Sequence, residues 1–551
     1  INIILKKKIE GGINAITSLN LGTGDKYNSS VNANYRVEKF NFFASYDNRF
    51  NNSRSSGSTD RFSMLPGLSS SILEQDFNSF NKMRSHNVNA GFDFLMDDFN
   101  TLSFSFKYRN FTFDNNNNTT EGNFISLNSP TSLFDRNNRS TRDRGGVDYT
   151  LSHKKTFSKA GEEWTTDIIY SDNAMVREEH VEQIGIVYLP VQSSLNSIRR
   201  SFSNNDNVQF VAQSNYNLPF DNHSKIEFGF KSQITDLSTA NRYENFDPTN
   251  SVWFSSSAFV EDFNYKQQIH AVYGMYGGLL LGFRYQLGLR AEQVFSTGTL
   301  LNTNQSFDSD YFSLYPSLNL GYTIAEGNDL TFSYSRRVDR PSLRQLNPFV
   351  DNSDSLNISR GNPDLLPQYI NSLEANWSFG LGRTFINTSA FYRQTNDVIS
   401  SITVLQSNGI TSTTFQNIAK SSSLGGDLSI TQPVATWLRL SANVSAFNSK
   451  VSGAEFENID QSKFTYTSRV SAAFTFWDKT QIQFSGMYMS PSIMMGGFGD
   501  GGGRGGGEEA THPRGARARG SATAALWVSG APRIFVRGDR GRPARDLPGG
   551  A

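Results

Sequence analysis

The 551-residue chain has no cysteine. That excludes a disulfide framework, a thiolate metal site, a cysteine nucleophile and a lipidated cysteine anchor. It also has no excess of charge: 51 Lys+Arg balance 51 Asp+Glu, so no overall field draws in nucleic acid. No window reaches the run of about 18 apolar residues that a helical membrane span requires. The longest candidate, residues 270–283, is short and Gly-rich and reads as two strands meeting at a turn. Histidine is scarce as well, with six residues scattered as His86, His153, His180, His223, His270 and His512 and no HExxH or paired spacing, so metal-assisted hydrolysis has no support. No G-x-S-x-G motif is present, and the "GGGRGGG" stretch lacks the Lys-Ser/Thr of a phosphate loop. No acid, base and nucleophile constellation can be assembled, so the chain reads as a non-enzyme with no cofactor.

Only 37% of residues are hydrophobic and mean hydropathy is −0.46, which on averages alone suggests a chain too polar for a large core. Aromatic content contradicts that reading. At 13%, with 44 Phe, it is too rich for a disordered chain. The rings recur at every second residue. In "TLSFSFKYRN", Leu102, Phe104, Phe106 and Tyr108 fall on one face and Ser103, Ser105, Lys107 and Arg109 on the other. "SKIEFGFKS", "FRYQLGLRAE", "NSLEANWSF", "WLRLSANVSA" and "SRVSAAFTF" repeat the pattern, giving about nineteen segments of about 9 to 11 residues, the span of a tilted transmembrane strand. Connectors alternate between short (96–100, 218–223, 325–328, 380–382) and long (49–85, 111–143, 173–206, 233–266, 339–370, 394–421). Short turns on one side and long loops on the other are the mark of a transmembrane β-barrel rather than a soluble sandwich. The expected fold class is therefore all-β, a transmembrane antiparallel β-barrel.

Two polar clusters invite a metal reading and have blander ones. Glu178, Glu179, His180 and Glu182 stand together in an expected loop, where a solvated charge cluster is the simpler account. Asp114, Asn116 and Asn118 mimic the start of a calcium loop but lack its turn glycine. From about Gly497 the composition turns to Gly, Arg, Ala and Pro with no Asn. This tail, 496–551, is expected to be disordered or frame-shifted, with a basic nucleic-acid-binding segment as the other reading.

Two stretches carry a family resemblance. "INIILKKK" resembles the last plug strand of TonB-dependent receptors, and residues 11–50 resemble the opening hairpins of their barrels. "YSRRVDRPSLRQLNPF" followed by "NISRGNPDLLPQYINSLEANWSF" resembles their barrel motif, an Arg-x-x-Arg-Pro segment leading to Asn-Pro-x-Leu-x-Pro-Glu, here with Gln368 in the Glu position. The motif places Arg337, Arg340, Pro341, Asn347, Pro348, Asn362, Pro363, Leu365 and Pro367 in one outer loop, with Arg336 and Arg337 at its rim.

The resemblance implies a 22-stranded barrel around an N-terminal plug, importing a scarce solute with energy from TonB. About nineteen strands are present, so the chain is expected to be a fragment: residues 1–10 as the last strand of a missing plug domain, 11–495 as barrel, then the tail. Implied partners are outer-membrane lipids, the barrel assembly machinery, an unknown solute, and the TonB complex through the missing plug. Parity puts Arg109, Arg284, Arg290, Glu292 and Arg439 toward the lumen. The other functional reading is a surface barrel, adhesive or structural, that transports nothing.

Overall fold

The computed structural model describes residues 11–63, 71–126, 129–188, 192–194, 196–220, 224–255, 260–351, 357–405, 411–453, 461–476, 480–490, 520–528 and 534–536. Nineteen long strands, from Gly12–Gly22 to Thr480–Met489, follow one another in a single sheet. Each pairs antiparallel with the next. Gly520–Val528 pairs with Thr480–Tyr488, and Ile534–Val536 pairs with it in turn. The remaining tail residues and the expected plug strand, 1–10, lie outside the described residues.

The alternation read from the sequence is the alternation of the sheet. Tyr35, Phe42, Phe92, Phe104, Leu151 and Ile168 stand opposite one another across successive strands. Farther round, Phe228, Phe230, Val272, Leu287 and Leu289 are each about half exposed, an apolar band that in water would be a large liability and in lipid is the contact surface. Residues 270–283 do form two strands and a turn: Leu281 and Gly282 both have positive φ (52° and 84°), the two-residue geometry that matches strand twist.

Strand length departs from expectation. Strands run to 28 residues, as in Ser129–Thr156, not 9 to 11. Residues 49–85, 111–143, 173–206, 233–266 and 394–421, expected as loops, are mostly paired strand. Asn100–Ser126 keeps one register with its successor as far as Asn123 opposite Ser132 and, after shifts on either side of Phe124, stays paired to Ser126 opposite Ser129. At about 3.3 Å per residue, a 28-residue strand extends well beyond the roughly ten residues that lipid needs. Above the lipid both faces meet water, so no face has to be apolar and the period vanishes while the ladder persists. Cross-strand polar pairs hold these ribbons, among them Asn115 Nδ2 to Ser79 Oγ (2.8 Å), Thr112 Oγ1 to Asp143 (2.7 Å) and Thr120 Oγ1 to Asp135 (2.8 Å).

On the face opposite the apolar band, five of the glycines that stand across from an aromatic residue have its ring in the place of a side chain: Gly57 from Phe77, Gly91 from Phe43, Gly185 from Phe134, Gly229 from Tyr273 and Gly298 from Phe307. At each, a Cβ would lie under 3.0 Å from the ring. The ring lies flat in the space that glycine leaves.

Candidate functional site

Among the described residues, the long connector that is not mainly ladder is 340–367, which holds only the short strands Val350–Asp351 and Asn357–Arg360. Pro341, Pro348, Pro363 and Pro367 each lack a backbone N–H, so the segment cannot pair as its neighbours do. It does not stand in solvent. The pairing of Asn328–Asp339 with the preceding strand ends at Ser335 opposite Ser317, whereas its pairing with Gln368–Leu381 continues to Asp339 opposite Gln368. The freed ribbon folds over the inner face. Tyr369 Oη lies 2.7 Å from Ser313 Oγ, and the Arg336 guanidinium stacks 4.5 Å over the Tyr369 ring, while Arg337 is exposed.

The loop then forms the short helix Leu343–Leu346, with the Ser342 N–H donating to Gln345 Oε1 (2.8 Å). Leu346 and Leu365 turn inward and join Phe263, Tyr265, Leu300, Ile399 and Phe415 in the larger of the two buried clusters among the described residues, with Phe307, Leu343 and Phe349 packed against it. Phe263 and Leu300 belong to strands Val260–Leu280 and Phe283–Leu300, Ile399 and Phe415 to Thr384–Leu405 and Thr411–Ala435. Three strands separate these two pairs in the sheet, so one loop can touch both only from the concave side. The face opposite the apolar band is therefore the inside of the barrel.

Polar ties fix the loop at both ends. Glu292, 6% exposed, receives Arg340 Nη2 and, at 2.6 Å, Arg290 Nε, and Arg340 Nε donates to Tyr311 Oη at 2.9 Å. Burial disfavours the Arg340 charge, but Tyr311 and Glu292 outweigh it and hold the guanidinium above its ordinary pKa. Asn347 Nδ2 donates to Glu261, 8% exposed, and Asn347 Oδ1 accepts the Phe349 N–H (3.0 Å). Across the lumen Asn362 Nδ2 donates to the Phe415 carbonyl (2.9 Å). The Asn417 side chain accepts the Leu366 N–H (2.8 Å) and donates to the Leu366 and Asp397 carbonyls. Gly361 is required for space: a Cβ would meet the Asn347 and Gln345 backbone. Gln368 accepts the Ile399 N–H (3.1 Å) and donates to Asp339 (3.2 Å), two tasks that a carboxylate could not combine.

The structure thus brings together Arg340, Asn347, Asn362, Leu365 and Pro367, with Arg290 and Glu292 from the wall. Pro341, Pro348 and Pro363 are half-buried within the same loop. Arg284 pairs elsewhere on the inner face with Asp329 (2.9 Å), and Arg109 with Asp148 (2.8 Å). Arg439 is exposed on the face opposite Leu438 and Leu440. Sequence reasoning missed Glu261, Tyr311 and Asn417. It also placed the acidic cluster in a loop, whereas Glu163–Val187 is one strand, so Glu179 faces inward and Glu178, His180 and Glu182 outward. Asp114, Asn116 and Asn118 likewise lie along a strand and do not form a loop.

The model of the outer membrane protein beta-barrel family matches residues 155–502, well over half of the chain. The chain belongs to that family. Its long strands accordingly span the outer membrane. Solved structures share the fold. The copper transporter OprC superposes with a TM-score of 0.61 at 11% identity, covering 95% of this chain and 72% of that one. The ferric enterobactin receptor PfeA bound to BCV-L6 gives 0.55 at 13% (95% and 74%). The unliganded ferric citrate transporter FecA gives 0.54 at 11% (94% and 71%). Among curated proteins none matches the sequence.

Proposed function

We propose that this family member is the barrel of a receptor-like outer-membrane transporter, in which a solute is captured at the outer mouth and passes through the lumen beside the folded loop 340–367. The observation that carries the reading is that loop. A barrel that served only as a surface scaffold gains nothing from laying its proline-rich segment across its own channel and tying it to two buried glutamates. As part of the same reading, residues 1–10 lead out of a plug domain and 11–495 form the wall, with Gly520–Val528 of the tail paired onto its last strand and the TonB complex acting through the plug. The transporter and receptor neighbours named above lend support at the level of fold.

A second reading, a non-transporting surface barrel, draws on the ribbons that rise far above the lipid band with Asn, Ser and Thr on both faces. Planar-bilayer conductance separates the two. In the refolded chain, Arg340→Ala combined with Asn347→Ala frees the loop and should raise single-channel conductance severalfold. An unchanged conductance places the loop outside any path and favours the scaffold.

A further inference from the structure

The inner wall carries a second constellation, away from the folded loop. On strands Asn100–Ser126, Ser129–Thr156 and Glu163–Val187, one row sets Phe113 opposite Arg142 and Arg142 opposite Arg177. The next row sets Phe111 opposite Arg144. All five share the face of Arg109 and Asp148, opposite Tyr108, Tyr149 and Tyr170, so all point into the lumen. Phe111 and Phe113 lie nearly parallel, with centroids 6.4 Å apart and planes 4° apart.

The charge arrangement is unusual in two ways. Arginines directly opposite across a ladder have Cβ atoms about 5 Å apart and repel each other, a destabilising pair. Only part of this charge is neutralised by the protein. Arg177 pairs with Glu179 at 3.2 Å and Arg109 with Asp148, whereas Arg142 and Arg144 are exposed and have no acidic partner among the described residues. Counted from the short turn at 157–162, Arg142 and Arg144 stand just past the roughly ten residues that cross lipid, which is the outer mouth of the lumen.

We propose that Phe111, Phe113, Arg142, Arg144 and Arg177 form an anion-binding site at the outer mouth, fitted to a multiply charged solute that joins carboxylate, phosphate or sulfonate oxygens to a flat apolar portion. The guanidinium forks take the oxygens in charge-assisted pairs, and the paired phenyl faces take the flat portion. The bound anion supplies the countercharge that Arg142 and Arg144 lack among the described residues. The proposal rests on the transporter reading for its biological use, while the site itself is tested by equilibrium binding alone.

The test uses the full chain refolded in detergent, with pyranine, a flat trisulfonate, read by fluorescence anisotropy and inorganic pyrophosphate as competitor. Arg142→Gln with Arg144→Gln should weaken pyranine about tenfold or more. Arg142→Lys with Arg144→Lys, which keeps the charge but loses the fork, should fall between the parent and the Gln pair, and Lys82→Gln, on the opposite face, should leave the affinity unchanged. Without ligand, the Gln pair should unfold no earlier in urea than the parent, since it removes a repulsion. Pyrophosphate should raise the unfolding midpoint of the parent and leave that of the Gln pair where it is. Equal pyranine affinity in the parent and the Gln pair, or equal stabilisation of both by pyrophosphate, overturns the site. Because conductance is measured separately, a failed site and a failed transporter reading give different results.

Discussion

Residues 111–143 and residues 340–367 look alike in sequence, both long, polar and without period, yet one becomes a ribbon and the other a folded inward loop. The difference lies in two residue types. The ribbon has a single proline, Pro130, near its tip, and pairs side chains rung by rung through Thr112, Thr120 and Thr141. The loop carries four prolines, which break the ladder, and spaces Leu343, Leu346 and Phe349 at every third residue, which gives it an apolar side to bury. A segment that loses its ladder must satisfy its backbone by other means, and this one does so against the inner wall.

That contrast can be broken from the loop side with the largest effect. Glu292→Gln removes the charge shared by Arg290 and Arg340 and should cost about 3 to 5 kcal/mol of loop docking, because a partly buried guanidinium loses its partner. Trypsin cleavage after Arg344 is the readout. It should become fast in the variant and stay slow in the parent. Leu365→Ala, at a residue 2% exposed, should cost about 2 to 5 kcal/mol in a urea titration of the vesicle-inserted chain. A cost near zero would mean that the cluster does not hold the loop.

The wall offers a third comparison. Phe104→Arg, on the lipid face, should cost about 2 to 4 kcal/mol in a membrane-refolding titration, with Ser105→Arg nearly silent. Equal costs would reverse the inside and outside assignment. Thr120→Val, in a ribbon above the lipid, should cost only about 0.2 to 1 kcal/mol by the same titration, since the rung keeps its backbone bonds.

The smallest effect belongs to a ribbon tip. Asp247 accepts the Asn250 side-chain N–H at 2.7 Å and the Thr249 backbone N–H at 2.8 Å, and these bonds hold its carboxyl below the ordinary aspartate value. Its folded pKa is depressed, so its contribution is complete above the unfolded pKa and is lost as the pH falls through the folded one. The exchange protection of the Val252–Phe254 amides, taken against the free-peptide rate at each pH, should fall on acidification in the parent. In Asp247→Ala that protection should already be low at neutral pH.

How much of this was legible follows the same physics. Inside the lipid, solvent on one face and hydrocarbon on the other impose a period of two, so Phe104, Leu287 and Trp377 could be assigned to a face from sequence. Above the lipid that asymmetry ends, and the strands of the ribbons could not be told from loops. Arg290, Glu292 and Arg340 were each singled out, but nothing in their spacing joined them, because a contact between residues 292 and 340 is set by where the sheet releases its strand at Ser335. The triplet spacing of Leu343, Leu346 and Phe349 was the available sign that the loop has a buried side. The arginines at 142, 144 and 177 fell within segments read as loop, where facing cannot be assigned.

The five glycine and ring pairs bear on how such long strands find their partners. A slip of one residue is costly in the wall, since it turns every side chain to the wrong face. A slip of two preserves the faces and escapes that check. It would, however, bring each ring over a residue that carries a Cβ. Three of the five pairs, at Gly57, Gly185 and Gly298, lie in the ribbons beyond the lipid, where no apolar face exists to report even a single-residue error. There the pairs act as proofreading marks, admitting one alignment of two otherwise interchangeable polar strands.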